Sequence, residues 1–456
     1  MSSPPPWRYL FTECFDPRRT LRGDDLRLYV RRGDAPSRRI LTSLQEDPGA
    51  PKFFLSGSPG SGKSTELAEL GRLLVDTHAV VPVDVYASAA NVTDVSGTEI
   101  LFMMGAAACK VAVDLGTPIS EARQQSLVEA FRGVARDPTR VDAERLFRGT
   151  ATFGVAVGAG LAGADEAGTV VAPAVDAAIS LAKRAATAVA DRVAPRPFGG
   201  LTRELRESDP EVDRLALALA GVLEELGAVR RPVVLIDGLD RVEDPRSIRS
   251  LFLQNRLLDL PTCAVVYNGP IFLWLDPDIF ALGGRFERCP LPNVTVELPV
   301  DGSATVTDPE LQQQRAVLKR LVDRRLEAVG LAPRTVLPAE VLDAMVTASG
   351  GVLRDLVHLM HRACRLAGRK DTPPDHLTQD LVNQAWQELA SEVQPAVANR
   401  RLIDELKEVE DQGRPSGSDD SMRLLLRGAI LAYDDHLPWF RVHPFLRPLL
   451  TPAARG

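Results

Sequence analysis

The chain is 456 residues long and carries 54 Lys+Arg against 61 Asp+Glu, a net charge of −7. Its 45% hydrophobic and 25% charged residues are ordinary globular proportions, which exclude collagen, a coiled coil and a wholly disordered chain. The acidic balance argues against a protein that coats nucleic acid over its whole surface, while leaving room for one local basic face.

Roughly 150 residues per domain predicts two to four domains. Five scattered cysteines (Cys14, Cys109, Cys263, Cys289, Cys364) show no CxxC spacing. They supply neither a zinc nor a disulfide framework and suit a reducing, cytoplasmic setting.

The opening MSSPPPWRYLFTECFDPRR has no basic region leading into an apolar run, so no signal peptide is expected. Residues 1–50 read as a lead-in, with an entry strand or loop and then a helix over 27–44. The run KFFLSGSPGSGKSTELAEL (52–70) passes from apolar residues through a glycine-rich turn into an amphipathic pattern, which is strand, loop and helix. A second buried strand is expected at 79–87 (AVVPVDVYA), with helices at 98–115 and 120–134. Residues 149–164 (GTATFGVAVGAGLAGA) are uncharged until Asp165 and Glu166 interrupt. That run falls short of the roughly 18–20 apolar residues of a membrane span, and Ala and Gly insert weakly.

Beyond the breaker PRPFGG (195–200), residues 210–227 read as a helix capped by Ser208 or Asp209. VVLID (233–237) is an apolar run ending in an acid, the pattern of a central parallel strand. A helix near 245–258 and a buried strand with a polar tip, CAVVYN (263–268), follow. Strands alternating with helices predict a doubly wound parallel sheet, an α/β fold. From residue 308 the pattern becomes helical, at 308–326, 338–348, 352–366 and 377–392. Last, a helix at 422–427 leads into two short β-like runs around the Asp-rich turn DDHLP, the outline of a winged-helix wing. The expected organisation is a core over 51–300 with an Ala/Gly-rich insertion at about 116–200, an all-α lid over 301–370 and a winged-helix domain over 371–456.

The chemistry concentrates in Gly57-Ser58-Pro59-Gly60-Ser61-Gly62-Lys63-Ser64, which matches G-x-x-x-x-G-K-[ST] in full. Glycines let successive N–H groups curl around a phosphate at a helix N-terminus whose dipole favours anions. Lys63 is expected on the β/γ-phosphates of a nucleotide and the Ser64 hydroxyl on Mg²⁺, while Thr65 continues the first helical turn. Asp237, at the end of its strand, is expected to take Mg²⁺ through water opposite Ser64. Asp240 reads either as a group that orients or deprotonates the attacking water or as a helix cap. Asn268 reads either as a contact to the γ-phosphate or the water, or as a turn-forming Asn-Gly. Arg354, in SGGVLRDL, either swings onto the phosphates or caps a surface helix. Arg256, Arg285 and Arg288 are candidates for an arginine finger acting on a neighbouring copy. His358 and His361 lie three apart on one helical face, but no acid or cysteine completes a metal site; a solvated helix is expected.

With the phosphate loop, VVLIDGLDR, the polar strand tip and SGGVLRDL in this order, the chain resembles the AAA+/STAND assembly of P-loop ATPases. Its D-G-L-D is closer to the STAND and KAP-like branches than to AAA+ unfoldases, which usually carry Asp-Glu there; Gly238 occupies the place of the catalytic glutamate. The resemblance therefore implies slow hydrolysis of ATP with Mg²⁺ by a switch that oligomerises on nucleotide, in a prokaryotic signalling or defence setting with an unknown protein partner. It also implies a lid whose sensor-2 arginine is Arg354, and a winged helix like that of origin-recognition-type and STAND ATPases. It covers residues 27–135 and 201–450. Two alternatives accompany it. One is a DNA-binding ATPase of the helicase-loader kind, although the helix at 422–427 offers only Arg423 and Arg427. The other is a membrane-active effector using 149–194, the place where KAP-type ATPases carry membrane segments.

Overall fold

Four strands are built from β-branched and aromatic residues whose side chains are covered on both faces. β1 (Lys52–Gly57), β2 (Ala79–Asp84), β3 (Pro232–Asp237) and β4 (Ala264–Pro270) are buried along almost their whole length. With the short β5 (Glu287–Pro290) they form one parallel sheet in the order β2-β3-β4-β1-β5. The computed structural model describes residues 5–47, 49–85, 95–135, 209–242, 244–276, 278, 284–298, 308–433 and 438–451. The 149–194 run and most of the expected insertion at about 116–200 lie outside the described residues. Among the described residues, no helix is long and apolar enough to cross a membrane.

Alternation along each strand assigns the two faces. Phe53, Leu55, Val233, Leu235 and Val266 turn toward helices α1 (Pro36–Glu46) and α2 (Lys63–Leu74), where they meet Ile40, Leu44, Leu67, Leu70 and Leu74. Phe54, Val81, Val83, Val234, Ile236 and Tyr267 turn to the other face. There lie α3 (Gly97–Asp114), α4 (Glu121–Val134) and α5 (Pro210–Gly227). The result is a three-layer α/β body of the kind that covers parallel sheets on both sides. Ser96 and Glu99 close a capping box at the start of α3. β5 has no counterpart in the sequence reading: at four residues with two charged and exposed, it follows the edge-strand pattern rather than the apolar one.

The helical part comprises α6 (Asp308–Glu327), α7 (Ala339–Ala348), α8 (Leu353–Gly368) and α9 (Gln379–Val393). Leu381, Ala385 and Leu389 of α9 share one apolar cluster with Leu342, Leu356 and Met360, so this helix packs with α7 and α8 across the boundary expected at residue 370. Residues 7–15 join the same cluster through Trp7, Leu10 and Phe15, and the Trp7 indole donates to the Pro374 carbonyl at 3.1 Å. The lead-in therefore packs partly with these helices.

The chain ends in α10 (Arg400–Gln412), α11 (Asp419–Leu426) and the antiparallel hairpin of β6 (Ile430–Tyr433) and β7 (Trp439–Val442). Met422, Leu425 and Ile430 pack with Phe252, Ile271 and Phe272 of the core. The helix expected over 245–258 is a short helix, Pro245–Arg249, followed by a wide turn, Ser250–Gln254. The Asn255 side chain takes the Ser250 carbonyl at 2.6 Å there, competing with helix continuation.

Candidate functional site: a glycine-rich loop beside a helix

The loop between β1 and α2 turns on two glycines, Gly60 (φ +81°) and Gly62 (φ +104°), in the left-handed region where side chains are strained. Space demands glycine as well: a Cβ on Gly57 would lie 2.3 Å from the Leu291 carbonyl oxygen, and one on Gly60 would lie 2.8 Å from Val352 Cγ1. No side chain caps α2, so its first N–H groups and the positive end of its dipole are left for an anion.

Lys63 is 3% exposed. Its ammonium donates to the carbonyls of Gly57 (2.8 Å) and Ser58 (2.9 Å) and pairs with Asp240 Oδ2 at 2.9 Å. The loop is braced from outside by Asn293, whose side chain donates to Ser58 Oγ at 3.1 Å, and by Arg32, which donates to the Ser61 and Pro292 carbonyls. Burial pushes the Arg32 guanidinium below its ordinary pKa.

At the neighbouring strand ends, the Ser64 hydroxyl donates to Asp237 Oδ1 at 2.9 Å, and the Asn268 amide donates to the same oxygen at 2.6 Å. β4 lies between β1 and β3, which is how Asn268 comes to stand between the loop and Asp237. Burial, followed by the nearby Asp240, raises the Asp237 carboxyl above the usual carboxylate range. One nitrogen of Arg22 is 3.3 Å from Asp237 Oδ2 and also 3.3 Å from Asp84 Oδ2. Asp84 ends β2 directly opposite Asp237 in the ladder.

A cleft of about 760 Å³ opens beside the loop. Its walls are the loop with Lys63 and Ser64, the N-terminal segment at Leu21 and Tyr29, and α8 at Leu353, Arg354, Val357 and His358. The Arg354 N–H donates to the Gly60 carbonyl at 3.3 Å, which pins the start of α8 to the loop while its side chain stays exposed. The Arg354 side chain thus borders the place the loop offers a phosphate.

These residues fit a magnesium nucleotide on grounds of their own chemistry: an uncapped helix start, a buried lysine, and a hydroxyl paired with a carboxylate. Ser61 Oγ and Asn268 Oδ1 are also buried in the site without a partner. The sheet and its loop define the P-loop α/β fold, followed by helical regions.

The structure brings Lys63, Ser64, Asp237, Asp240, Asn268 and Arg354 to one place. Arg285 is held elsewhere, by Asp259 at 2.7 Å and by the carbonyls of Phe252 and Asn255. His358 borders the cleft, and His361 packs edge-on against Phe11; among the described residues no group of three or more His, Cys, Asp or Glu is arranged to hold a metal ion. Asp84, Arg22, Arg32 and Asn293 are additions to the sequence reading. Asp84 had only a weak signal, an acid inside the apolar run AVVPVDVYA, where the sequence does not mark it as the strand end.

No protein-family profile and no curated protein sequence matches the chain. Among solved structures it is similar to Drosophila ORC bound to DNA, at 13% identity and a TM-score of 0.35, over 95% of this chain and 88% of that one. It is similar to the Aeropyrum pernix ORC1 protein in complex with DNA at 12% identity and 0.37, over 96% and 93%. With a mutant of Thermotoga maritima RuvB the values are 12% and 0.26, over 51% and 80%.

Proposed function

We propose that the chain is an ATP-binding, slowly hydrolysing switch of the AAA+/STAND kind, cytoplasmic and self-associating on nucleotide. The observation that carries this reading is that Lys63 and Ser64 line a cleft also lined by Arg354 of α8, with Asp237 held to the Ser64 hydroxyl at 2.9 Å. The cations and anions of the site pair with one another, Lys63 with Asp240 and Arg22 with Asp84 and Asp237. An incoming triphosphate takes Lys63 from Asp240 and lies along the uncapped start of α2. Ser64 and Asp237 would hold Mg²⁺, which neutralises charge developing on the phosphates. Arg354, at the rim, reaches the phosphates from the lid and so makes lid position depend on what the loop holds.

The C-terminal hairpin, read here as the wing of a winged helix, is coupled to that movement. Tyr433 donates its hydroxyl to the Gly350 carbonyl at 2.7 Å, just ahead of α8. Prokaryotic signalling or defence, with a protein partner, is the setting we favour. A DNA-binding role through the winged helix ranks second. Met422, Leu424 and Leu425 of α11 are buried, and Arg423 lies 3.7 Å from Asp420, so α11 presents few free cations to a phosphate backbone.

Sedimentation with and without ATP, run beside phosphate release, tests the switch. The expected result is association with ATP and turnover below about 1 per second. An unchanged monomer turning over faster than that would overturn it.

A further inference from the structure

Gly238 stands directly after the metal-site aspartate and has φ +95°, a conformation that residues with a side chain rarely adopt. The backbone at that point disfavours a glutamate for a conformational reason. Asp240, two residues further along, is drawn to Lys63 at 2.9 Å. A third carboxylate is present. Asp84 ends β2 opposite Asp237, on strands about 4.8 Å apart, and its Oδ2 shares one Arg22 nitrogen with Asp237 Oδ2, each at 3.3 Å. The two carboxylates therefore face a common space beyond the strand ends. On the other side of Asp237, Asn268 is fully buried with its Oδ1 unpartnered.

We propose that Asp84 is the catalytic base of the hydrolysis, supplied by the neighbouring strand in place of a residue beside Asp237. This rests on the reading of the site as an ATPase. Asp84 accepts a proton from water as the water oxygen forms a bond to the γ-phosphorus. The bond from that phosphorus to the β–γ bridging oxygen breaks, its electron pair leaves with ADP, and inorganic phosphate is released. Arg22, paired with Asp84 at 3.3 Å, has to withdraw before the carboxylate can work. Hydrolysis is thereby tied to movement of the N-terminal segment that carries Arg22.

The test uses the full chain as wild type, Asp84→Asn and Asp84→Glu. It measures binding of a fluorescent ATP analogue with Mg²⁺, single-turnover phosphate release from ATP, and the nucleotide recovered from the protein after gel filtration. Asp84→Asn is expected to bind within about threefold of wild type, to release phosphate at least about 100-fold more slowly, and to yield ATP where wild type yields ADP. Asp84→Glu restores part of the rate. Phosphate release by Asp84→Asn at the wild-type rate overturns the proposal, as does loss of nucleotide binding together with the rate, which would make Asp84 a binding or folding residue. Failure of the wild type to bind ATP would instead remove the ATPase reading itself.

Discussion

Asp237 sits 6% exposed at the end of β3, where it accepts from Ser64 and Asn268 and faces Arg22. A buried carboxylate without a cation is costly, and Arg22, 3.3 Å away, supplies charge of the sign that a metal ion would bring. Replacing it should therefore free the acids for that ion. Arg22→Gln is expected to tighten Mg²⁺-dependent nucleotide binding by several-fold, up to about tenfold or 1.4 kcal/mol, with little change when EDTA removes Mg²⁺. Weaker binding in both conditions would mean that Arg22 contacts the nucleotide directly. No sequence pattern marks Arg22. It is recruited across the fold to Asp84 and Asp237, and its place follows only from how the N-terminal segment crosses the strand ends.

Two successive glycines, Gly350 and Gly351, sit where the start of α8 closely approaches the hairpin and the backbone at Val294. Gly351 has φ +79°, and a Cβ there would lie 1.8 Å from the Val294 carbonyl oxygen, a backbone atom that cannot swing aside. Gly351→Ala is expected to lose about 2–4 kcal/mol of stability in urea unfolding, from strain and overpacking together. Gly330 has φ +76° with open space around it, so Gly330→Ala should lose only the strain, about 1 kcal/mol. Equal losses would contradict the close-approach account. The pattern SGGVLRDL was legible as a helix start, but the reason for its glycines was not, because Val294 lies far away in sequence. The same division runs through the other elements. The helices at 210–227, 308–326 and 352–366 repeat apolar residues at helical spacing and match α5, α6 and α8 closely. The edge strand β5 carries no apolar run, and residues 250–254 leave the helix where Asn255 competes for a carbonyl. Strand order is non-local too. That VVLID and AVVPVD lie side by side, with their terminal acids in register, is settled by pairing and not by either segment alone.

At the scale of the whole molecule, the N-terminal segment and the C-terminal hairpin both connect to the glycine-rich loop. The N-terminal segment packs Trp7, Leu10 and Phe15 into the lid, then runs to the loop, where Tyr29 donates to Glu66 at 2.8 Å and Arg32 braces Ser61. The C-terminal hairpin reaches Gly350 through Tyr433, and Asn293 joins the two by donating from its backbone to Ala432 and from its side chain to Ser58. Among the described residues, the N-terminal segment touches the loop directly and the C-terminal hairpin reaches it through Asn293. All of it depends on the loop holding a nucleotide through Lys63. Calorimetric titration of ATP with Mg²⁺ into wild type and Lys63→Ala, both checked for folding by thermal melting, tests this most directly. The expected result is micromolar binding by the wild type and a loss of at least about 100-fold, near 2.7 kcal/mol, in the variant. Micromolar affinity retained by a folded Lys63→Ala would contradict the account.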